Sequence, residues 1–320
     1  MTGEIFISVI VPVKDEEDTI GGFLERVPPI LDRVSATENG SWEILFVDDG
    51  STDTTYQRIV QANTLDERIK CISFSRNFGK EAALSAGLSY SAGRVVVPMD
   101  VDLQDPPEVL EDMVVKWKQG AHVVYGIRRG RETDSLPKRL TADLFYKAHN
   151  RLSHDKIPEH AGDFRLLDRR VVDAINKLPE RNRFMKGIFA WSGFRHDSVE
   201  YDRVERTAGT TKFGYLKLWR LAIDGIVSSS TLPLRVWSYV GFAIAVLAFF
   251  YAIFIVIRSL LVSDAPAGYP SLMVVILFLS GIQLMSLGVM GEYIGRLLVE
   301  ARQRPLFIVQ EHLGIDAPDQ

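Results

Sequence analysis

A mainly parallel α/β domain followed by two membrane-crossing helices is the architecture this chain predicts. Three patterns lead there. Short β-branched runs alternate with amphipathic stretches through residues 1–210. Acidic clusters stand where those runs end. Two late segments, Val236 to Ile257 and Leu272 to Gly291, carry no charge over about 20 residues each.

The strand-like runs are Ile5–Val13, Trp42–Asp48, Ile69–Ser75, Arg94–Asp100 and His122–Gly126. Between them lie the helix-like stretches Thr19–Val34, Thr54–Ala62, Lys80–Ser91 and Pro107–Gln119. Strand–helix alternation implies parallel strands with helices on both faces, and ligands of such sheets bind beyond the carboxyl ends of the strands. Residues 127–162 are charged and carry little strand pattern. After them come the run Phe164–Leu167, a helix-like Arg170–Lys177, the segment Arg183–Phe194 and a polar strand-like run Asp197–Arg206.

Phe213–Ile226 sets Phe213, Leu216, Trp219, Leu221, Ile223 and Ile226 among Lys212, Lys217 and Arg220, a pattern suited to a helix lying in a membrane interface. Each uncharged segment behind it spans ~30 Å of hydrocarbon at ~1.5 Å per residue. The link Arg258–Ser271 is too short for a domain, so the two helices form a hairpin. Lys212, Lys217, Arg220 and Arg235 flank its entry and Arg296, Arg302 and Arg304 its exit, whereas the link carries only Arg258 and Asp264. That asymmetry puts both ends in the cytoplasm. The expected division is a soluble domain over 1–210, a juxtamembrane helix over 211–232, two transmembrane helices within 233–299 (about 235–258 and 270–292) and a cytoplasmic tail over 300–320. Gly281, Ser286 and Gly288 suit packing against a second copy, a homo-oligomer. No signal peptide is expected at the start, because Ile5–Val13 is short, contains Ser8 and runs into Lys14-Asp15-Glu16-Glu17.

Composition removes other classes. The 37 basic and 41 acidic residues leave a net charge of -4, which argues against nucleic acid as a partner. The single cysteine, Cys71, forms no internal disulfide and reads as a buried strand residue. There is no G-x-G-x-x-G after the first strand, Gly79-Lys80 is followed by Glu81 rather than by Ser or Thr, and G-x-S-x-G and H-E-x-x-H are missing.

What the strand ends do carry is carboxylate. The second strand runs into Asp48-Asp49-Gly50-Ser51-Thr52-Asp53 and the fourth into Asp100-Val101-Asp102-Leu103-Gln104-Asp105-Pro106. Read as strand, Asp100 and Asp102 project to one side. Two carboxylates there suit a hard cation, Mg2+ or Mn2+, with Gln104 as a third oxygen and substrate phosphates completing the shell. Asp105 reads as a solvated cap of the next helix.

Taken together, Val9-Ile10-Val11-Pro12-Val13-Lys14-Asp15-Glu16, Val47 through Asp53, Arg76-Asn77-Phe78-Gly79-Lys80, Asp100 through Pro107 and Gly162-Asp163-Phe164-Arg165-Leu166 resemble glycosyltransferase family 2 with the GT-A fold, a Rossmann-like arrangement. With the C-terminal hairpin, the chain is similar to the polyprenyl-phosphate glycosyltransferase branch, the bacterial type above all. The resemblance implies that Pro12, Val13 and Glu16 hold the donor nucleotide and that Asp49 bonds its base. It implies that Asp100, Asp102 and Gln104 carry the metal and donor diphosphate, with Val101 standing where the family usually has Ala. It places Arg128, Arg131 and Arg139, with Lys138 more weakly, at the lipid phosphate, and Arg206 and Lys212 just before the membrane. Asp163 falls where inverting relatives set a general base, and together with Asp102 it is a catalytic candidate.

The expected reaction is metal-dependent, inverting transfer of a hexose to polyprenyl phosphate at the bacterial inner membrane. By resemblance the donor is UDP-glucose and the acceptor undecaprenyl phosphate. A phosphate monoester has its second pKa near ~6, so the acceptor is already nucleophilic at neutral pH and needs no strong base. Two alternatives remain at this point. A processive polysaccharide synthase would share the aspartates, but its Q-x-x-R-W motif is missing from the chain. A non-catalytic membrane sensor of nucleotide sugars would have no reason to keep Asp100 and Asp102 together.

Overall fold

A computed structural model describes residues 4–129, 161–202 apart from 182 and 184, a discontinuous set within 239–257, and 268–315. The chain divides into two compact units, Met1–Leu218 with Arg304–Gln320, and Trp219–Gln303.

The first unit is built on a sheet of eight strands. They are β1 (Ile5–Val13), β2 (Ser41–Asp48), β3 (Ile69–Phe74), β4 (Val95–Pro98), β5 (Val123–Arg129), β6 (Ala161–Asp168), β7 (His196–Asp202) and β8 (Val309–Leu313), in spatial order β7-β5-β6-β4-β1-β2-β3-β8. β1 pairs in parallel with both β2 and β4, and β2 with β3. Strand order therefore reverses at β1, which opens a crevice beyond the carboxyl ends of β1 and β4. β6 runs antiparallel between β4 and β5, and β8 antiparallel along β3.

Helices α1 (Ile20–Ala36), α2 (Thr55–Leu65), α3 (Lys80–Tyr90), α4 (Val109–Lys118), α5 (Arg169–Asn176) and α6 (Met185–Trp191) complete this unit as described. The sheet is apolar on both faces, with Ile7, Val9, Val11, Ile44 and Phe46 in one buried cluster and Ile10, Leu45, Val47 and Ile72 in the other. Burial on both faces explains why the early strands read as continuous apolar runs. Cys71 is fully buried in β3, and desolvation pushes its thiol pKa far up, so it is inert.

At the amino-terminal end of the sheet, buried Glu43 accepts from Ser8 Oγ (2.5 Å), Ala92 N (2.7 Å) and Lys70 Nζ (2.7 Å). One carboxylate thus ties β1, β2, β3 and the approach to β4.

Two sequence expectations are corrected here. The fourth strand stops at Pro98, so Asp100 and Asp102 lie beyond it in a turn where Leu103 has a φ of 53°, and strand periodicity does not set their directions. The fifth strand continues to Arg129, which makes Arg128 a strand residue rather than a loop residue. β8 has no counterpart in the sequence reading.

In the second unit, helix Tyr269–Arg302 runs for 34 residues. Its stretch Phe278–Arg302 is the one helix among the described residues that is long and apolar enough to cross a membrane; Gly241–Tyr251 is a shorter apolar helix. The interfacial helix expected over Phe213–Ile226 lies outside the described residues.

Asp168 fastens the sheet to two helices. It caps α5 by accepting from Arg170 N (3.0 Å), and its carboxylate also accepts from Trp117 Nε1 of α4 (2.7 Å) and from Arg170 Nε (2.8 Å). Burial opposes its ionisation, but Arg170 and Trp117 win and hold its pKa at about 2, against an ordinary 3.8. A depressed carboxyl pKa stabilises the fold above the unfolded value and loses that contribution as pH falls through the folded one. Asp168→Asn is therefore expected to cost about 2 kcal/mol at pH 7. The gap to the unsubstituted protein should close between about pH 4 and pH 2, read by thermal unfolding in detergent at a series of pH values.

Candidate active site at the carboxyl ends of the strands

The loops after β1 and β2 are zipped together. Asp49 N donates to Val13 O (2.9 Å), and Lys14 Nζ donates to Gly50 O (3.2 Å). Asp15, at a φ of 52°, accepts from Thr52 N (2.7 Å) and Thr52 Oγ1 (3.1 Å), and the Thr52 N–H holds its carboxyl below the ordinary range. Glu16 N donates to Thr55 Oγ1 (2.9 Å). Pro12 and Val13, in register with Val47 and Asp48, end β1 directly beneath this pair of loops.

Asp49 is buried, and both of its oxygens face backbone amides, Phe78 N at 2.6 Å and Gly79 N at 2.9 Å. Burial pushes its carboxyl pKa up, against the pull of those two amides. The family resemblance implies that Asp49 bonds the nucleotide base; in the structure its carboxylate holds the loop before α3. Gly50 makes the approach possible, since its φ is 67° and a Cβ there would stand 2.7 Å from the Arg76 carbonyl carbon.

That loop delivers Lys80, the first residue of α3. A cation at a helix N-terminus runs against the macrodipole and is disfavoured unless something else holds it. Here Lys80 Nζ donates to both oxygens of Asp100 (2.7 and 3.0 Å) and to Asp163 (3.1 Å). Partial desolvation works against the ammonium, but Asp100 and then Asp163 more than offset it and raise its pKa. β4 and β6 pair antiparallel at Val95↔Asp168 and Val96↔Leu167, so β6 starts at the end of the sheet where β4 stops. Asp163, early in β6, and Asp100, in the turn after β4, thus both reach Lys80, whose ammonium joins them. Sequence reasoning missed Lys80; the signal it offered was a lysine in the first turn of a helix, against the dipole, just past a strand end.

Asp102 Oδ1 accepts from Gln104 N (3.3 Å) in the same turn. Among the described residues no group of three or more His, Cys, Asp or Glu side chains could hold a metal ion. The turn carries the oxygen-bearing side chains of Asp100, Asp102 and Gln104, with Asp100 held by Lys80 and Asp102 bonded to the Gln104 N–H. That donor set fits Mg2+ or Mn2+, which take one or two carboxylates and draw the rest of their shell from phosphate and water.

Asp105 departs from expectation. It is buried rather than solvated, and α4 begins only at Val109. Its carboxylate accepts from Tyr201 OH of β7 and from Arg128 Nη2 of β5 (3.3 Å), while Arg128 Nε donates to the Tyr201 hydroxyl oxygen (3.3 Å). The acidic turn is thereby anchored to β5 and β7. Buried Arg165 donates through Nε to the Asp163 carbonyl (3.3 Å) with its guanidinium 4.3 Å from the Phe189 ring centre. The structure thus gathers Asp100 and Asp163 around Lys80 and fixes Arg128 to the turn of Asp102 and Gln104. Arg131, Lys138, Arg139, Arg206 and Lys212 lie outside the described residues.

The family described as Glycosyl transferase family 2 matches residues 8–175, and the one described as GtrB C-terminal hairpin matches residues 232–297. An uncharacterized glycosyltransferase of Synechocystis is 46% identical over 98% of this chain and 97% of its own length. A prophage bactoprenol glucosyl transferase homolog of Escherichia coli is 48% identical over 95% of this chain and 98% of its own. The bactoprenol glucosyl transferase of Shigella phage SfII is 48% identical over 96% and 99%.

Gly50→Ala tests the loop architecture. A Cβ in the left-handed region pressing on backbone cannot be relieved by a rotamer change, so a loss of about 1–3 kcal/mol is expected. Thermal unfolding reads that loss, and faster hydrogen exchange at the Phe78 and Gly79 amides locates it.

Proposed function

The chain belongs to glycosyl transferase family 2, and from that premise we propose that it moves a hexose from a nucleotide sugar to the phosphate of a polyprenyl lipid at a membrane. UDP-glucose is the donor and undecaprenyl phosphate the acceptor in this reading, which rests on the bactoprenol glucosyl transferases that the chain resembles along nearly its whole length. The observation that carries it is the convergence of Asp100, Asp163 and Lys80 at the carboxyl end of β4, beside the strand-order reversal.

The acceptor phosphate oxygen attacks the anomeric carbon in line with the departing nucleoside diphosphate, and a single displacement inverts that carbon. Asp100 and Asp102, with Gln104, would hold the divalent cation, which when bound offsets negative charge on the leaving diphosphate. Pro12, Val13 and Glu16 line the donor's nucleotide end. Asp163 orients the acceptor rather than abstracting a proton, since the phosphate is already ionised. Arg128, aimed by Asp105 and Tyr201, offers a guanidinium fork to the incoming phosphate; Arg131, Arg139, Arg206 and Lys212 extend that basic surface in this reading.

Sheet topology supports a membrane hairpin. β8 follows the long helix and is hydrogen-bonded along β3, so the chain after Arg302 lies on the same side of any membrane as the catalytic sheet. One crossing by Phe278–Arg302 then needs a second crossing before it, in the region matched by the hairpin family. A cytoplasmic location for the shared side is the reading that the flanking cations support.

Two outcomes test this reading. With membranes and a panel of radiolabelled nucleotide sugars, lipid-extractable product is expected from UDP-glucose and lost on EDTA treatment. Asp102→Asn should cut it by roughly 10²–10³-fold with the protein still folded and membrane-bound; full activity of that variant after Mg2+ restoration would refute the metal site. For topology, cysteines introduced at Asp264 and Gln310 should differ in intact cells, with only the former reached by an impermeant thiol reagent. Equal labelling overturns the hairpin.

A further inference from the structure

We propose that Lys80 is a built-in competitor for the divalent cation at Asp100, so that the ion binds tightly only in company with the nucleotide diphosphate. The inference rests on the metal-dependent reading above and adds to it the order in which charge enters the site.

The geometry is a two-pronged grip. Lys80 Nζ reaches both Asp100 oxygens, at 2.7 and 3.0 Å, so the ammonium covers the carboxylate edge that a cation would use. A magnesium-sized ion sits ~2.0–2.1 Å from its oxygens. Ion and ammonium therefore cannot share that edge, and the like charges repel at any distance both could hold. The side chain has somewhere to go. Lys80 is 43% exposed, and Asp163 already holds it at 3.1 Å.

A free divalent cation must displace the ammonium and brings no anion to receive it; among the described residues Asp163 is the other carboxylate bonded to Lys80 Nζ. A cation arriving with a nucleoside diphosphate brings that anion along, and Lys80 can turn from Asp100 to the phosphates beside the N-terminus of α3. Binding of ion and nucleotide is then positively coupled, by an amount that is the same whichever ligand is varied.

The test uses the full chain in lipid nanodiscs and reads Mn2+ binding by the electron paramagnetic resonance of the free ion, with and without UDP. Lys80→Gln removes the charge and keeps the length; Lys80→Arg keeps the charge. Mn2+ alone should bind Lys80→Gln about 10-fold more tightly than the unsubstituted protein. The enhancement of Mn2+ binding by UDP should shrink in Lys80→Gln, and Lys80→Arg should bind Mn2+ alone as weakly as the unsubstituted protein. Thermal unfolding confirms that each variant is folded. If Lys80→Gln binds Mn2+ alone no more tightly, or shows undiminished coupling to UDP, Lys80 is not a competitor, while the metal reading stands. If the unsubstituted protein binds no Mn2+ even with UDP, the metal reading falls and this inference with it.

Discussion

The antiparallel return of β6 between β4 and β5 is the constraint from which the site follows. A purely parallel continuation would start its next strand at the far end of the sheet. Because β6 runs backwards, its first residues stand beside the last residues of β4 and β5. Asp163 is thereby set against Asp100, although the two are far apart in sequence. Two carboxylates that reach one ammonium also repel each other. Lys80 removes the conflict with one ammonium, at the price of placing a cation at the N-terminus of α3.

The loop that presents Lys80 is fastened from two sides. Asp49 grips the amides of Phe78 and Gly79, and Gly50 lets Arg76 come close. On the other side of the loop, Phe78 meets Phe74 edge-on and Phe307 stacks on Phe74 at 5.1 Å. Phe307 belongs to the tail that follows the long helix, and Ser75 N donates to Ile308 O in the same tail (3.1 Å). The tail therefore buttresses the loop that presents Lys80. The arrangement Asp105–Tyr201–Arg128 does the same for the acidic turn, joining it to the two outermost strands on that side.

Strand residues Phe74, Arg128 and Tyr201 anchor these loop contacts to the sheet, which suits a site that must hold several charges within hydrogen-bond reach. Loops that carry like charges spread apart unless a scaffold fixes them. Here the loops after β1 and β2 exchange hydrogen bonds through Asp15, Ser51, Thr52 and Thr55, so neither is free to drift. The far end of the sheet has its own fastenings in Glu43 and Asp168, and leaves the carboxyl ends for chemistry.

Local pattern was enough for the strands β1 to β4, the helices between them, the uncharged C-terminal segments and the acidic strand ends, because hydrophobic periodicity and unbroken apolar length are properties of neighbours in the chain. The resemblance to family 2 glycosyltransferases was legible for the same reason, in short motifs at strand ends. Three things depended on contacts between distant residues. β8 is a five-residue polar strand whose only reason to be extended is the free edge of β3. Asp105 looked like a solvated cap until Tyr201, near the end of the described domain, buried it. Lys80 stood only as the last residue of a family motif until the fold brought Asp100 and Asp163 to its ammonium. The sequence by itself determined which groups stand at the strand ends; tertiary structure decided which of them face one another, because pairing register and burial are set across the sheet and not along the chain.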